Sequence, residues 1–347
     1  MGDHYKSFGD VMLTLSKKGR KIHLLLGNGF SMAYDPKIFS YNALHDFVAK
    51  LGDPELTKLF EAIKTKNFEL IMSQLKLFVA LLDAFDSKEG LQERVNHASE
   101  RLQQSLLDAV SGLHPEHVFK MPGDRVAACA SFLNCFLQTG GSVFTTNYDL
   151  LLYWVLLRGE VPKHVDGFGR ELVNPIEAKQ GEEQQWSELR WGPNRDDQNV
   201  HYLHGALPLF DTGLDVVKEE YTGDAFLLEN ITARLKEGQY PVFVTAGNGE
   251  EKLARVRHNR YLSFCYDSLC TADGSLVSFG FNFGNYDLHI IDAINKAAKY
   301  GSKQPDRLWS IYIGIYSDVD AEHIANIESR FQCKVNTFDA KSAKVWG

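Results

Sequence analysis

The chain has 347 residues, 44% of them hydrophobic and 24% charged, with a formal net charge of -8. This is the composition of a soluble globular protein, long enough for one large domain or two, and its acidic balance gives no footprint for DNA or RNA. No apolar run approaches the roughly 20 residues of a membrane helix; the stretch from Leu75 to Leu82 is short and bounded by Lys76 and Asp83.

The first residues, Met1-Gly2-Asp3-His4-Tyr5-Lys6, lack the apolar core of a signal peptide, and Lys6 stands where a myristoylation signal wants Ser or Thr. The cytosol is the expected compartment. Five cysteines, Cys129, Cys135, Cys265, Cys270 and Cys333, include no C-x-x-C pair, which argues against a disulfide framework and against a paired-cysteine zinc ribbon.

In chain order, the first predicted strand is Ile22-His23-Leu24-Leu25-Leu26, running into Gly27-Asn28-Gly29-Phe30-Ser31. Helical periodicity follows, in Leu56, Leu59, Phe60 and Ile63 and again in Leu102, Leu106, Leu107 and Val110, punctuated by Pro115 and Pro122. A second strand, Ser142-Val143-Phe144-Thr145, leads through Thr146-Asn147-Tyr148-Asp149 into another helix. The gap between these strands exceeds one crossover helix, so residues 42–138 read as a helical subdomain inserted in a single domain spanning 1–347. Residues 160–199 are polar and loop-like. Strands are expected at 200–203, 241–245, 276–280, 308–314 and 334–338, with helices between them. This alternation predicts an α/β fold: a doubly wound, largely parallel, Rossmann-like sheet.

Four segments carry polar chemistry at strand ends. Gly27-Asn28-Gly29-Phe30-Ser31 joins a strand to a helix through two glycines, as a pyrophosphate-binding turn does. A tight strand–helix turn explains the same glycines, and Met32 occupies the third glycine position of the dinucleotide fingerprint. Thr146, Asn147 and Asp149 crowd the carboxyl end of the second strand, where ligands bind in open α/β sheets; Asp149 also suits a helix cap. His204 ends the next strand beside Gly205, which allows a ligand close approach. Gly280-Phe281-Asn282 opens the turn that leads to a helix near Asp287, a residue that could cap that helix or serve a nucleotide site. Gly247-Asn248-Gly249 looks like the first loop, but Glu250 and Glu251 follow and would repel a phosphate, so it reads as a turn only.

In this order the motifs resemble the sirtuin-like superfamily. Gly27-Asn28-Gly29-Phe30-Ser31 resembles the sirtuin Gly-Ala-Gly-Ile-Ser loop, Thr145-Thr146-Asn147-Tyr148-Asp149 resembles Thr-Gln-Asn-Ile-Asp, and His204-Gly205 is similar to the His-Gly pair. Gly280-Phe281-Asn282 falls where the Gly-Thr-Ser turn would. A bacterial branch is closer: its members share Gly-Asn-Gly-Phe-Ser, Ile-Phe-Ser-Tyr (here Ile38-Phe39-Ser40-Tyr41), Thr-Asn-Tyr-Asp and Leu-His-Gly. The sirtuin zinc ribbon and the arginine of the Gly-Ile-Pro-Asp-Phe-Arg segment are missing, and relatives without the zinc module include NAD hydrolases of antiphage systems.

The resemblance implies an enzyme that cleaves the nicotinamide–ribose bond of NAD, its substrate, to give ADP-ribose and nicotinamide, with no metal. Asn147 would hold the ribose or a water, His204 would act as general base on a ribose hydroxyl or that water, and Asp149 would orient the nicotinamide amide or supply negative potential. Gly27, Asn28, Gly29, Phe30, Ser31, Thr146, Gly280, Phe281, Asn282 and Asp287 would bind the rest of the dinucleotide. A non-catalytic sensor of NAD or ADP-ribose acting through a partner protein is the alternative; an ordinary dehydrogenase fits less well because of Met32. An unrestrained NAD hydrolase would harm its own cell, so gating by homo-oligomer assembly or a partner is expected. The apolar stripes Leu75, Phe78, Val79, Leu82 and Leu102, Leu106, Val110 would fill the insertion's core or meet another subunit.

Overall fold

The structure, a computed structural model, describes residues 5–36, 52–63, 68–84, 89–113, 118–172, 186–220, 226–237, 239, 241–244, 248–299 and 307–347. The strands are β1 Lys6–Ser7, β2 Ile22–Leu26, β3 Val143–Thr145, β4 Phe168–Gly169, β5 Arg190–Trp191, β6 Val200–Tyr202, β7 Gly205–Asp211, β8 Val216–Lys218, β9 Pro241–Phe243, β10 Gly274–Phe279, β11 Leu308–Ile315 and β12 Lys334–Asp339. Seven of them form one sheet in the order β1-β12-β11-β10-β2-β3-β6, with every pairing parallel. Helices flank it, and the fold is the expected Rossmann-like α/β architecture.

β2 shows why this sheet forms. All five of its residues are buried, so both faces are covered, as a central parallel strand requires. Each buried Leu or Ile contributes roughly 1.5–3 kcal/mol relative to exposure. The helix Gly123–Leu137 packs on β2 and β3, with Phe132, Leu133, Phe136 and Leu137 buried. It lies at the end of the expected insertion but serves as a helical cover of the sheet. Pro54–Ile63, Phe68–Ala84 and Glu89–Leu113 instead pack on one another. There Leu75 and Leu102 are buried, while Phe78 is exposed together with Leu77 and Leu81. Ile38 to Tyr41 and the start of the insertion lie outside the described residues.

A second sheet, β4-β5-β8-β7-β9, is antiparallel throughout and was not expected. Helices were expected between 203 and 241; the chain instead makes the β7–β8 hairpin, with Asp211 opposite Val216, before the helix Leu227–Lys236. The hairpin loop is closed by Asp211 Oδ1, which accepts from the Gly213 N–H at 2.8 Å. β9 pairs with β7 and so belongs to this sheet rather than the parallel one. Residues 160–199 likewise contribute β4 and β5 among their described positions. Among the described residues, no helix is long and apolar enough to cross a membrane.

Candidate active site at the ends of the parallel strands

β2 and β3 end side by side, with Leu26 opposite Thr145, and the polar residues of both turns meet there. The Ser31 hydroxyl, in the short helix Asn28–Tyr34, donates to Asp149 Oδ2 at 2.5 Å. It accepts in turn from Asn147 Nδ2 at 2.9 Å. The same Nδ2 donates to the Gly27 carbonyl at 3.0 Å, so both amide hydrogens of Asn147 are committed and Oδ1 is the atom left to meet a ligand. The Asn147 backbone N–H is held by Thr145 Oγ1 at 3.1 Å, and Thr146 donates from N and Oγ1 to the Leu26 carbonyl. Ser31 is fully buried and Asn147 and Asp149 nearly so.

Asp149 does two things with its two oxygens. Oδ2 anchors Ser31, and Oδ1 accepts from the Leu151 N–H at 3.0 Å, where the helix Leu151–Arg158 begins. Through Ser31, Asp149 is linked to the Asn147 amide.

The glycine turns are explained by packing. A Cβ on Gly27 would lie 2.5 Å from Phe281 Cα, and one on Gly29 2.6 Å from Gly280 Cα. The Gly27 N–H donates to the Phe279 carbonyl at 3.1 Å, Gly29 N–H to the Gly280 carbonyl at 2.8 Å, and Phe30 N–H to the Gly27 carbonyl at 2.9 Å. These amides are spent inside the fold, and a helix of seven residues adds little dipole of its own. Phe30 is a core residue: its ring packs on Trp346 at 4.9 Å and its carbonyl accepts from Trp346 Nε1. Phe281 is buried against Phe283, while Asn28 and Asn282 are exposed. Gly205 also has a packing cause: at φ +81°, a Cβ there would lie 1.8 Å from the Val242 carbonyl oxygen of β9. In the turn Gly247-Asn248-Gly249, Gly247 lies outside the described residues; Asn248 caps the helix Gly249–His258 in a capping box with Glu251.

His204 follows β6, two residues past the β3–β6 pair Thr145 and Tyr202. Its Nε2 lies 2.8 Å from Nε2 of His289, in the first turn of the helix Leu288–Lys299. That helix follows β10, three places from β6 in the sheet. Burial, then His289 and Lys252, hold His204 well below the usual imidazole range; burial puts His289 at about 4 against the pull of Asp287. His201, stacked on Phe144 at 4.8 Å, is held at about 3 by burial and packs as a core residue.

Asp287 stands in a 3-10 turn before that helix, and its Oδ1 accepts from Lys252 Nζ at 3.0 Å. Lys252 is only 2% exposed, an expensive place for an ammonium unless paired. His204, Asp287 and His289 bring one ligand atom each within 4.8 Å of one another, the reach of a metal site. Two facts oppose a metal: the ammonium of Lys252 already neutralises Asp287, and the two Nε2 atoms sit closer than the roughly 3.3 Å that two nitrogens span on a tetrahedral zinc at about 2.05 Å. Sequence reasoning missed His289 and Lys252. A groove of about 590 Å³ lined by Asp211, Val242, Arg255 and Asn259, among others, touches none of these site groups.

The fold and its strand-end polar cluster define a Rossmann-like α/β protein with a candidate ligand site in the usual place for such sheets. A family model described as a domain of unknown function, DUF4917, matches residues 24–346, and the chain belongs to that family. No curated protein matches it.

Proposed function

We propose that this protein hydrolyses NAD at the nicotinamide–ribose bond. The observation that carries the reading is the buried chain Asp149–Ser31–Asn147, which fixes one amide at the carboxyl ends of two adjacent parallel strands. The sirtuin-like motif order supports the same chemistry. In the reaction, the bond from the anomeric carbon to nicotinamide breaks with its electron pair going to the ring nitrogen. A water oxygen bonds to that carbon and one proton passes to solvent, giving ADP-ribose and nicotinamide. The cation-like ribosyl transition state needs orientation more than acid assistance, because nicotinamide leaves as a neutral molecule.

Asn147 Oδ1, held by the commitment of its own amide hydrogens, positions a ribose hydroxyl or the attacking water. His204 is the second polar group, uncharged at neutral pH. With the amides of Gly27, Gly29 and Phe30 spent, contacts to the pyrophosphate and adenosine fall to the exposed Asn28 and Asn282. A place among gated cytosolic antiphage effectors rests on the resemblance. The exposed Leu77, Phe78 and Leu81 on one helix support a gate by assembly or a partner. Incubation with NAD and quantification of free nicotinamide tests the reading; binding without release would favour the sensor.

A further inference from the structure

Two histidines 85 residues apart share one hydrogen bond, Nε2 to Nε2 at 2.8 Å, with rings 27° from parallel. A neutral imidazole carries one ring proton, so one Nε2 donates and the other accepts. The far nitrogen of His289 decides which. Its Nδ1 is buried with no hydrogen-bond partner, on a side chain only 1% exposed. A proton there would be a buried N–H with nothing to accept it, a cost of about 1–3 kcal/mol. The same proton on Nε2 is paired with His204. Neither ring is charged at neutral pH. No neighbour satisfies His289 Nδ1: Lys252 donates to Asp287, and the Tyr266 hydroxyl donates to the backbone carbonyl of His289 rather than to its ring.

We propose that His289 is a positioning residue: its Nε2–H donates to His204 Nε2, holds His204 in the tautomer with its proton on Nδ1, and makes His204 a hydrogen-bond donor toward its ligand. The lone pair of His204 is then occupied and its other nitrogen protonated. The general-base role expected from the sequence gives way to donation from Nδ1–H to an oxygen lone pair. In the NAD site proposed above, on which this last step rests, that oxygen belongs to a ribose hydroxyl. No base is required, since water adding to an oxocarbenium-like carbon sheds its proton to solvent.

The test is a two-bond proton–nitrogen NMR correlation on the full chain labelled with 15N-histidine, at neutral pH. His204→Gln and His289→Gln assign the two rings. The expected spectrum shows His204 protonated on Nδ1 and His289 on Nε2. In His289→Phe, His204 should drift toward the Nε2–H tautomer and nicotinamide release should fall at least about tenfold. His289→Gln, whose amide can donate to the same nitrogen, should keep the Nδ1–H tautomer and recover most of the rate. His204 protonated on Nε2 in the wild type would overturn the inference, as would stoichiometric zinc bound to both rings. Should His289→Phe fail to fold, the wild-type and His289→Gln spectra decide alone. The stated tautomers in a protein that releases no nicotinamide would retain the role of His289 and remove the NAD reading.

Discussion

The hydroxyl of Ser31 donates to Oδ2 of Asp149 at 2.5 Å, tying the helix after β2 to the turn after β3 across 118 residues of chain. Ser31→Ala removes that donor and frees the Asn147 amide from one of its two acceptors. Unfolding in denaturant should show a loss of about 1–3 kcal/mol. Nicotinamide release from the folded variant should drop at least about tenfold, because Asn147 loses its fixed orientation. A folded Ser31→Ala protein with an unchanged rate would remove the positioning role of the Asp149–Ser31–Asn147 chain.

Gly29 is expected to matter to the fold before it matters to a ligand. A Cβ at 2.6 Å from Gly280 Cα meets backbone, which cannot swing aside as a side chain can. Gly29→Ala should therefore cost about 1–3 kcal/mol through overpacking, with Gly29→Val worse. Thermal melts of both variants check this; a Gly29→Val protein as stable as the wild type would contradict the packing account.

Buried histidines set the acid limit of stability. His201 is held at about 3 and His289 at about 4, each from an ordinary 6.5, so the unfolded chain binds these protons more readily than the folded one. Stability is then complete above pH 6.5 and falls as the pH drops from there toward the folded values. At about pH 5 each such ring has cost about 2 kcal/mol. His201→Phe should lower the slope of stability against pH by about 1.4 kcal/mol per unit between about pH 6 and pH 4. Urea titrations at several pH values measure it, and an unchanged slope would mean that His201 titrates normally.

The pattern of residues made some of this legible and hid the rest for physical reasons. β2 announces itself because Ile22, Leu24, Leu25 and Leu26 place apolar side chains on both faces of the strand, which calls for cover on both sides. Asn147, Asp149 and His204 stand out because polar side chains at apolar strand ends need a reason. β7 was missed because Gly205–Asp211 is buried on both sides except at its last residue, so it lacks alternation, and Pro208 speaks against a central strand. β9 was placed in the wrong sheet because an apolar run does not name its pairing partner. His289 looks like a core residue on an apolar helix face, and Lys252 after two glutamates looks solvated. Their roles depend on contacts across 85 and 35 residues that no local period encodes.

Metal removal should leave the protein unchanged. The five cysteines are all free, and Lys252 pairs with the one carboxylate of the His204, Asp287, His289 group. Dialysis against a chelator should shift neither the melting temperature nor nicotinamide release. A cooperative loss of structure in chelator would contradict this and reopen the metal site.

The most direct test of the central claim is to incubate purified wild-type protein, Asn147→Ala and His204→Ala with NAD and to quantify nicotinamide and ADP-ribose over time. Circular dichroism on each sample establishes that it is folded. The account predicts equal amounts of the two products from the wild type and rates lower by about two orders of magnitude or more in both variants. A folded wild type that releases no nicotinamide, alone or in concentrated assemblies, or a folded variant that keeps the wild-type rate, would contradict it.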